Sequence, residues 1–118
     1  GGSLRSNLTS GRDYTDEEIW SVLDQVEASD FVRNMGGLER GTAEAGRSLS
    51  GGQRRRLGIA SVLISGCDIL IFDEVTSGLD KINKNAVIRL IEKIARSKVV
   101  IIISHEDLSF SQKNYYEI

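Results

Sequence analysis

This sequence has no long hydrophobic run, only one cysteine and no large excess of positive or negative charge. No apolar run in the 118 residues approaches the roughly 18–20 residues that a membrane-spanning helix needs. The single cysteine, Cys67, excludes an internal disulfide and fits a reducing compartment. Lysine and arginine number 15 against 17 aspartate and glutamate, and this near-balance argues against a dedicated nucleic-acid binder. Proline is absent, which is unusual for this length but not diagnostic, and no signal-peptide pattern opens the sequence. From the length of 118 residues we expect one domain or less, soluble by itself.

The first half of the sequence predicts helices separated by polar loops that contain glycine. Residues 1–14 show little periodicity and are predicted to be mostly loop. A capping box that opens at Thr15 predicts a helix over 16–28, where apolar residues follow at helical spacing. A short helix capped by Ser29 is expected next, followed by a loop over 38–49.

The second half of the sequence predicts a small parallel α/β unit. The all-apolar run 69–72 and the β-branched run 98–103 predict two buried parallel strands. A helix over 83–96 has one apolar side and would connect them. Residues 115–118 could begin a third strand.

Between these halves lies the motif Leu49-Ser50-Gly51-Gly52-Gln53. Ser50 is predicted to be the N-cap of a helix that runs to about Ser65. The free backbone N–H groups at such a helix start, together with the helix dipole, form an anion site. The two glycines let the backbone approach a phosphate closely. Taken alone, the pattern fits an ordinary glycine-rich helix start equally well.

Polar residues follow each of the two predicted strands. Asp73 and Glu74 come directly after the first, at the carboxyl edge where α/β sheets bind ligands. Ser77-Gly78-Leu79-Asp80 comes next, and the only histidine, His105, comes shortly after the second strand. Each also has a structural interpretation: an acidic pair can cap a turn, an aspartate can cap a helix, and a lone histidine is more often structural or solvated than catalytic.

In order and spacing these motifs resemble those of the ATP-binding cassette (ABC) ATPases, which share the P-loop NTPase fold. The resemblance identifies 49–53 as the signature motif. It implies that Asp73 holds Mg²⁺, usually through water, and that Glu74 orients or deprotonates the attacking water. It implies that His105 is the switch histidine that contacts the γ-phosphate of ATP. Asp80 would end the D-loop, in which Gly78 replaces the usual alanine.

The same resemblance implies ATP and Mg²⁺ as ligands and two protein partners. The signature motif would close over an ATP held by the opposite domain of a head-to-tail dimer, and Asp80 would reach toward that partner's phosphate loop. A transmembrane domain would place the protein at the cytoplasmic face of a membrane. The phosphate-binding pattern G-x-x-x-x-G-K-[ST] is absent from the sequence. We therefore expect the C-terminal part of a nucleotide-binding domain, inactive by itself.

Three segments are expected within this part. Residues 1–14 would be the loop that follows the Q-loop, 15–66 the helical subdomain with the signature helix, and 67–118 the Walker B, D-loop and switch-histidine part of the core. If the strand that carries the phosphate loop is missing, the strand at 98–103 would have an unpaired apolar edge. Two copies could then associate through that edge, or residues 115–118 could move in beside it.

Features of the helical part favour the exporter branch of the family. Residues 3–8 resemble the S-I-R-E-N-[IL] stretch of exporters, and 14–20 resemble their helical subdomain. Residues 41–46 resemble the exporter X-loop through Glu44, although the alanines that flank it depart from the pattern.

Two alternatives remain: a non-catalytic structural or interaction module, and a non-transporter ABC ATPase of the chromosome-maintenance or DNA-repair kind. The basic residues at 47 and 54–56 are expected to face solvent or a domain interface, not nucleic acid.

Overall fold

A computed structural model describes residues 2–105 and the backbone of residues 115–117. The chain forms two compact units, Gly1–Ser65 and Gly66–Ile118. The helices and strands, in chain order, are α1 (Leu4–Thr9), α2 (Asp16–Gln25), α3 (Ser29–Asn34), α4 (Thr42–Ser48), α5 (Gly51–Leu63), β1 (Ile69–Asp73), α6 (Lys81–Ile94), β2 (Val99–Ile103) and β3 (Tyr115–Glu117). A helical part followed by strand-helix-strand with parallel strands confirms the predicted fold class. Within the described ranges, no helix is long and apolar enough to cross a bilayer.

The prediction of a loop over residues 1–14 is wrong where α1 forms. The hydroxyl of Ser3 caps this helix by accepting a hydrogen bond from the backbone N–H of Ser6 (3.2 Å). Leu4 and Leu8 are buried, and α1 packs against α4 and α5. One helix of 6 residues is too short to show a clear period in the sequence, and its stability comes from this packing.

The loop predicted over 38–49 likewise contains a helix, α4. It buries Ala45, and an ion pair joins Arg40 Nη2 to Glu44 Oε2 (2.7 Å) across its start. Backbone hydrogen bonds from Leu4 N to the Arg40 oxygen (2.9 Å) and from Thr42 N to the Gly2 oxygen (2.9 Å) connect it to the beginning of the chain. These long-range bonds are not visible in local sequence.

Arg5 joins three parts of the first unit. Its Nη1 lies 2.6 Å from Asp16 Oδ1, and its Nε lies 2.7 Å from Glu39 Oε1. The hydrogen bond with Asp16, and then that with Glu39, raises the pKa of Arg5 above its ordinary value. Arg5 therefore connects α1 to the start of α2 and to the turn that precedes α4.

The predicted capping box of α2 is confirmed: Thr15 Oγ1 accepts from Glu18 N (3.1 Å), and Glu18 Oε1 accepts from Thr15 N (3.0 Å). The helix ends at Gln25, earlier than predicted, and Glu27 has a left-handed backbone (φ 57°). Ser29 is the first residue of α3 and not its cap, because its hydroxyl donates to the Asp24 carboxylate instead.

The second unit is built on a parallel sheet in the order β1-β2-β3. In the register of β1 and β2, Leu70 pairs with Val100 and Phe72 with Ile102, and all four side chains are buried. The crossover helix α6 buries apolar residues at helical spacing, namely Val87, Ile88, Leu90, Ile91 and Ile94. The predicted strand-helix-strand is therefore present, with α6 beginning two residues earlier than expected.

The face of this sheet that carries Ile69 and Ile71 is exposed, contrary to the prediction of two fully buried strands. Ile69 and Ile71 are each 58% exposed, and their neighbour Val99 is 40% exposed. An all-apolar strand is typical of a sheet covered on both faces. The described residues cover only one face, so β1 is buried at alternate positions.

The expectation that β2 has an unpaired edge is also wrong. β3 pairs with β2 in parallel, from Val100 opposite Tyr115 to Ile102 opposite Glu117. β2 is thus the central strand, and the alternative in which the end of the chain moves in beside it is confirmed. Self-association through an open edge of β2 has no structural basis in this sheet.

Ile91 and Ile82 allow a matched test of the α6 core. Ile91 is fully buried, whereas Ile82, on the same helix, is 82% exposed. We expect Ile91→Ala to lower the free energy of unfolding by about 2–5 kcal/mol, since it leaves a cavity. Ile82→Ala should change it by less than about 0.5 kcal/mol. Urea denaturation followed by circular dichroism measures both, and equal losses would contradict this account of the core.

Candidate functional site

The motif at 49–53 forms the capped start of α5. Ser50 has an extended backbone (φ −71°, ψ 165°), and its hydroxyl accepts a hydrogen bond from Gln53 N (3.1 Å). Gln53 Oε1 accepts from Ser50 N in return (2.9 Å), which completes a capping box. The amides of Gly51 and Gly52 stand in the first turn, where a helix provides no backbone acceptor. This confirms the predicted N-cap, while the helix ends at Leu63, slightly before the predicted boundary.

Arg54 makes contacts at this helix start that the sequence did not indicate. Its Nη1 donates to the backbone oxygens of Gly46 and Leu49, each at 3.0 Å. Gly46 belongs to the last turn of α4, and Leu49 directly precedes Ser50. One guanidinium nitrogen therefore joins the end of one helix to the residue before the next. The basic run at 54–56 was expected only to face solvent or an interface, and no spacing rule separates Arg54 from its neighbours.

Asp73 and Glu74 lie at the carboxyl end of β1, as predicted. Asp73 is the last residue of the strand and pairs in register with Ile103, the last residue of β2. Glu74 N donates to the Ile103 oxygen (2.8 Å), which extends the strand pairing by one residue. Glu74 then takes a left-handed backbone (φ 52°), uncommon for a residue with a side chain. Backbone conformations of this kind are found most often at functional sites. Here the left-handed conformation turns the chain at the edge of the sheet.

Glu74 and His105 meet at this edge. Glu74 Oε1 accepts a hydrogen bond from the backbone N–H of His105 (3.2 Å) and lies 3.4 Å from His105 Nε2. The His105 side chain is 95% exposed and that of Glu74 is 32% exposed. The imidazole is therefore accessible to a ligand from solvent, while the Glu74 carboxylate is held by the backbone amide of His105.

The carboxylate of Asp80 caps the helix that follows it. Its Oδ1 accepts from Asn83 N (2.8 Å) and its Oδ2 from Asn83 Nδ2 (3.1 Å), so it is the N-cap of α6. Gly78 has φ 76°, a left-handed conformation that favours glycine and gives a structural reason for the departure from alanine at this position.

The acidic groups do not form a metal cage. Among the described residues, no three His, Cys, Asp or Glu side chains are grouped to hold a metal ion. The Asp73 side chain makes no hydrogen bond or ion pair within that part of the chain, and the residue is exposed. Mg²⁺ at nucleotide sites commonly uses one or two carboxylates and completes its shell with water and phosphate oxygens. One accessible carboxylate at a strand end fits that use.

The structure thus places Glu74 in contact with His105 in the second unit, and Asp73 directly precedes Glu74 at the end of β1. The predicted signature residues 49–53 belong to the first unit.

The sequence matches a family model and curated proteins over most of its length. The family model described as "ABC transporter" matches residues 2–77. An uncharacterized ABC transporter ATP-binding protein of Haemophilus influenzae is 39% identical over 88% of this chain and 19% of its own length. A multidrug resistance ABC transporter ATP-binding and permease protein of Lactococcus lactis is 39% identical over 88% of this chain and 18% of its own length.

A solved structure of a bacterial Atm1-family ABC exporter with ATP bound superposes with a TM-score of 0.70. It is 28% identical, and the match covers 89% of this chain and 19% of that one. The chain therefore spans about a fifth of the length of the relatives it matches. The family match extends over more than half of the chain. The chain belongs to the ABC transporter family.

Proposed function

We propose that this chain supplies the signature helix and the water-activating carboxylate of an ATP-hydrolysing nucleotide-binding domain in an ABC exporter. The observation that carries the proposal is the contact between Glu74 and His105 where two neighbouring parallel strands end, with Asp73 as the last residue of the first strand. The chain contains no G-x-x-x-x-G-K-[ST] pattern to cradle the phosphates. The ATP must be held by a phosphate loop outside these 118 residues, and the chain alone is expected to be inactive.

Glu74 is suited to act on the attacking water. Its carboxylate has one oxygen anchored by the His105 amide, which restricts its rotation. A carboxylate held in this way can accept a proton from water as the oxygen attacks the γ-phosphorus. The exposed imidazole of His105 can donate a hydrogen bond to a γ-phosphate oxygen and carry some of its charge.

Asp73 would hold Mg²⁺ in the complete domain, through water. The metal ion, when bound, neutralises charge on the phosphate oxygens. Asp73 contributes a carboxylate that has no partner within the described part of the chain and stands one residue before Glu74.

The start of α5 would serve a second nucleotide. Backbone amides of its first turn and the hydroxyl of Ser50 can donate to an anionic oxygen, and the helix dipole favours negative charge there. We propose that these groups close over the γ-phosphate held by the opposite domain of a head-to-tail dimer. Asp80 lies at the same interface in this proposal, although its two oxygens already cap α6.

A transmembrane domain is the other proposed partner, as in the named ATP-binding and permease relative. The competing proposal is a non-catalytic interaction module, which the absence of a phosphate loop pattern favours. The hydrogen-bonded Glu74 favours the catalytic proposal, because an interaction module has no need of a strained, amide-anchored carboxylate.

Glu74→Gln tests the water-activating role in a complete transporter that contains this chain. The amide cannot accept the proton, so we expect turnover to fall by about 10²–10⁴-fold while ATP binding is retained. Asp68→Asn is the matched control, since Asp68 is an exposed carboxylate near the opposite end of β1. Phosphate release and equilibrium nucleotide binding measure the two effects. Unchanged turnover in the glutamine variant would rule out this role for Glu74.

Ser50→Ala tests the role of the signature turn against a matched helix cap. Ser50 and Thr15 each open a capping box, so removal of either hydroxyl should cost about 1 kcal/mol of stability. Only Ser50→Ala should lower ATP turnover in the complete transporter, by about 10-fold or more, because only Ser50 donates to the phosphate.

Thermal denaturation measures the stability of the two cap variants, and steady-state ATPase assays measure their turnover. Equal turnover for the Ser50 and Thr15 variants would show that the α5 start is merely a helix cap.

A further inference from the structure

The position of Ser50 depends on how α4 ends. Helix α4 leaves its last carbonyl groups without helical partners, and the chain then crosses from Leu49 to Ser50 before α5 begins. The Ser48 hydroxyl donates to the Ala45 oxygen (3.1 Å) and satisfies one carbonyl of this last turn. The Gly46 oxygen, in the same turn, accepts a hydrogen bond from Arg54 Nη1.

Arg54 fixes the connection from both sides. The same Nη1 donates to the Leu49 oxygen, one residue before the N-cap, and the backbone N–H of Arg54 donates to the Ser50 oxygen (3.0 Å). The side chain therefore reaches back over the first turn of its own helix. Arg54 therefore contacts the peptide groups directly before the N-cap as well as the first turn of α5.

We propose that Arg54 is a positioning residue for the signature turn: its guanidinium locks the α4–α5 connection so that the Ser50 hydroxyl and the first α5 amides point where a phosphate can be bound. The inference rests on the proposed function of that turn. Each terminal nitrogen of a guanidinium carries two N–H donors in a fixed plane, so Nη1 alone can hold two carbonyl groups at once. A lysine ammonium is a flexible point donor and would hold them less firmly.

Arg47 offers a matched control. It is an exposed arginine in the same helix connection, and within the described residues it makes no hydrogen bond or ion pair. Arg54→Gln and Arg47→Gln therefore remove the same charge from the same neighbourhood, and only the first removes the two carbonyl contacts. Any effect of net charge on the phosphate would be common to both variants.

Amide hydrogen exchange on the whole chain tests the positioning directly. The amide of Gln53, which donates to Ser50 Oγ, reports whether the turn is locked. We expect Arg54→Gln to speed exchange at Gln53 by roughly 10-fold, Arg54→Lys to speed it less, and Arg47→Gln to leave it unchanged. The Glu18 amide, in the capping box of α2, should not change in any variant. Unchanged exchange at Gln53 in Arg54→Gln would overturn the inference.

Activity of the complete transporter provides the second readout. Arg54→Gln should lower ATP turnover by roughly 10-fold, because a displaced donor no longer meets the developing charge, while Arg47→Gln should have no effect. Full turnover in Arg54→Gln, with Ser50→Ala still impaired, would overturn the inference alone. Full turnover in both would overturn the proposed function of the turn as well.

Discussion

The parallel pairing of β1 with β2 is the constraint on which the contact between Glu74 and His105 depends. The two strands end opposite one another at Asp73 and Ile103, and the Glu74 amide adds one more hydrogen bond beyond the strand. The chain then turns at a left-handed residue, so the Glu74 carboxylate meets the amide of His105. A shift of one residue in this register would exchange the faces of the strand and separate the two groups. The apolar strands therefore position the polar groups that follow them.

In the first unit, short helices and their caps position the candidate groups. Ser50 and Gln53 bond reciprocally, which leaves the first α5 amides free to meet an anion. Arg5 and Arg54 join neighbouring segments by contacts with carboxylate and carbonyl oxygens. Hydrogen bonds therefore fix the directions of the turns in a unit whose helices are mostly too short to be stable alone.

Sequence patterns predicted the long elements and the polar residues at their ends, because capping boxes and apolar periodicity are local. They failed for α1 and α4, whose stability comes from backbone bonds such as Leu4 N to the Arg40 oxygen. They also overestimated burial. The run that contains Ile69 and Ile71 is apolar throughout, which is typical of a strand in a sheet covered on both faces, yet the described residues cover only one face. The left-handed backbone of Glu74 and the carbonyl contacts of Arg54 depend on three-dimensional placement, and sequence spacing does not indicate them.

In the proposed function, the signature turn and the Glu74 carboxylate of one chain serve different nucleotides. The most direct measurement is the ATPase rate of two-copy transporters that carry Ser50→Ala and Glu74→Gln either on one copy or on separate copies. If the signature acts on the opposite domain, separate placement confines both defects to one site and leaves about half the activity, while placement on one copy impairs both sites. The reverse pattern, with activity kept only when both changes share a copy, would contradict the account.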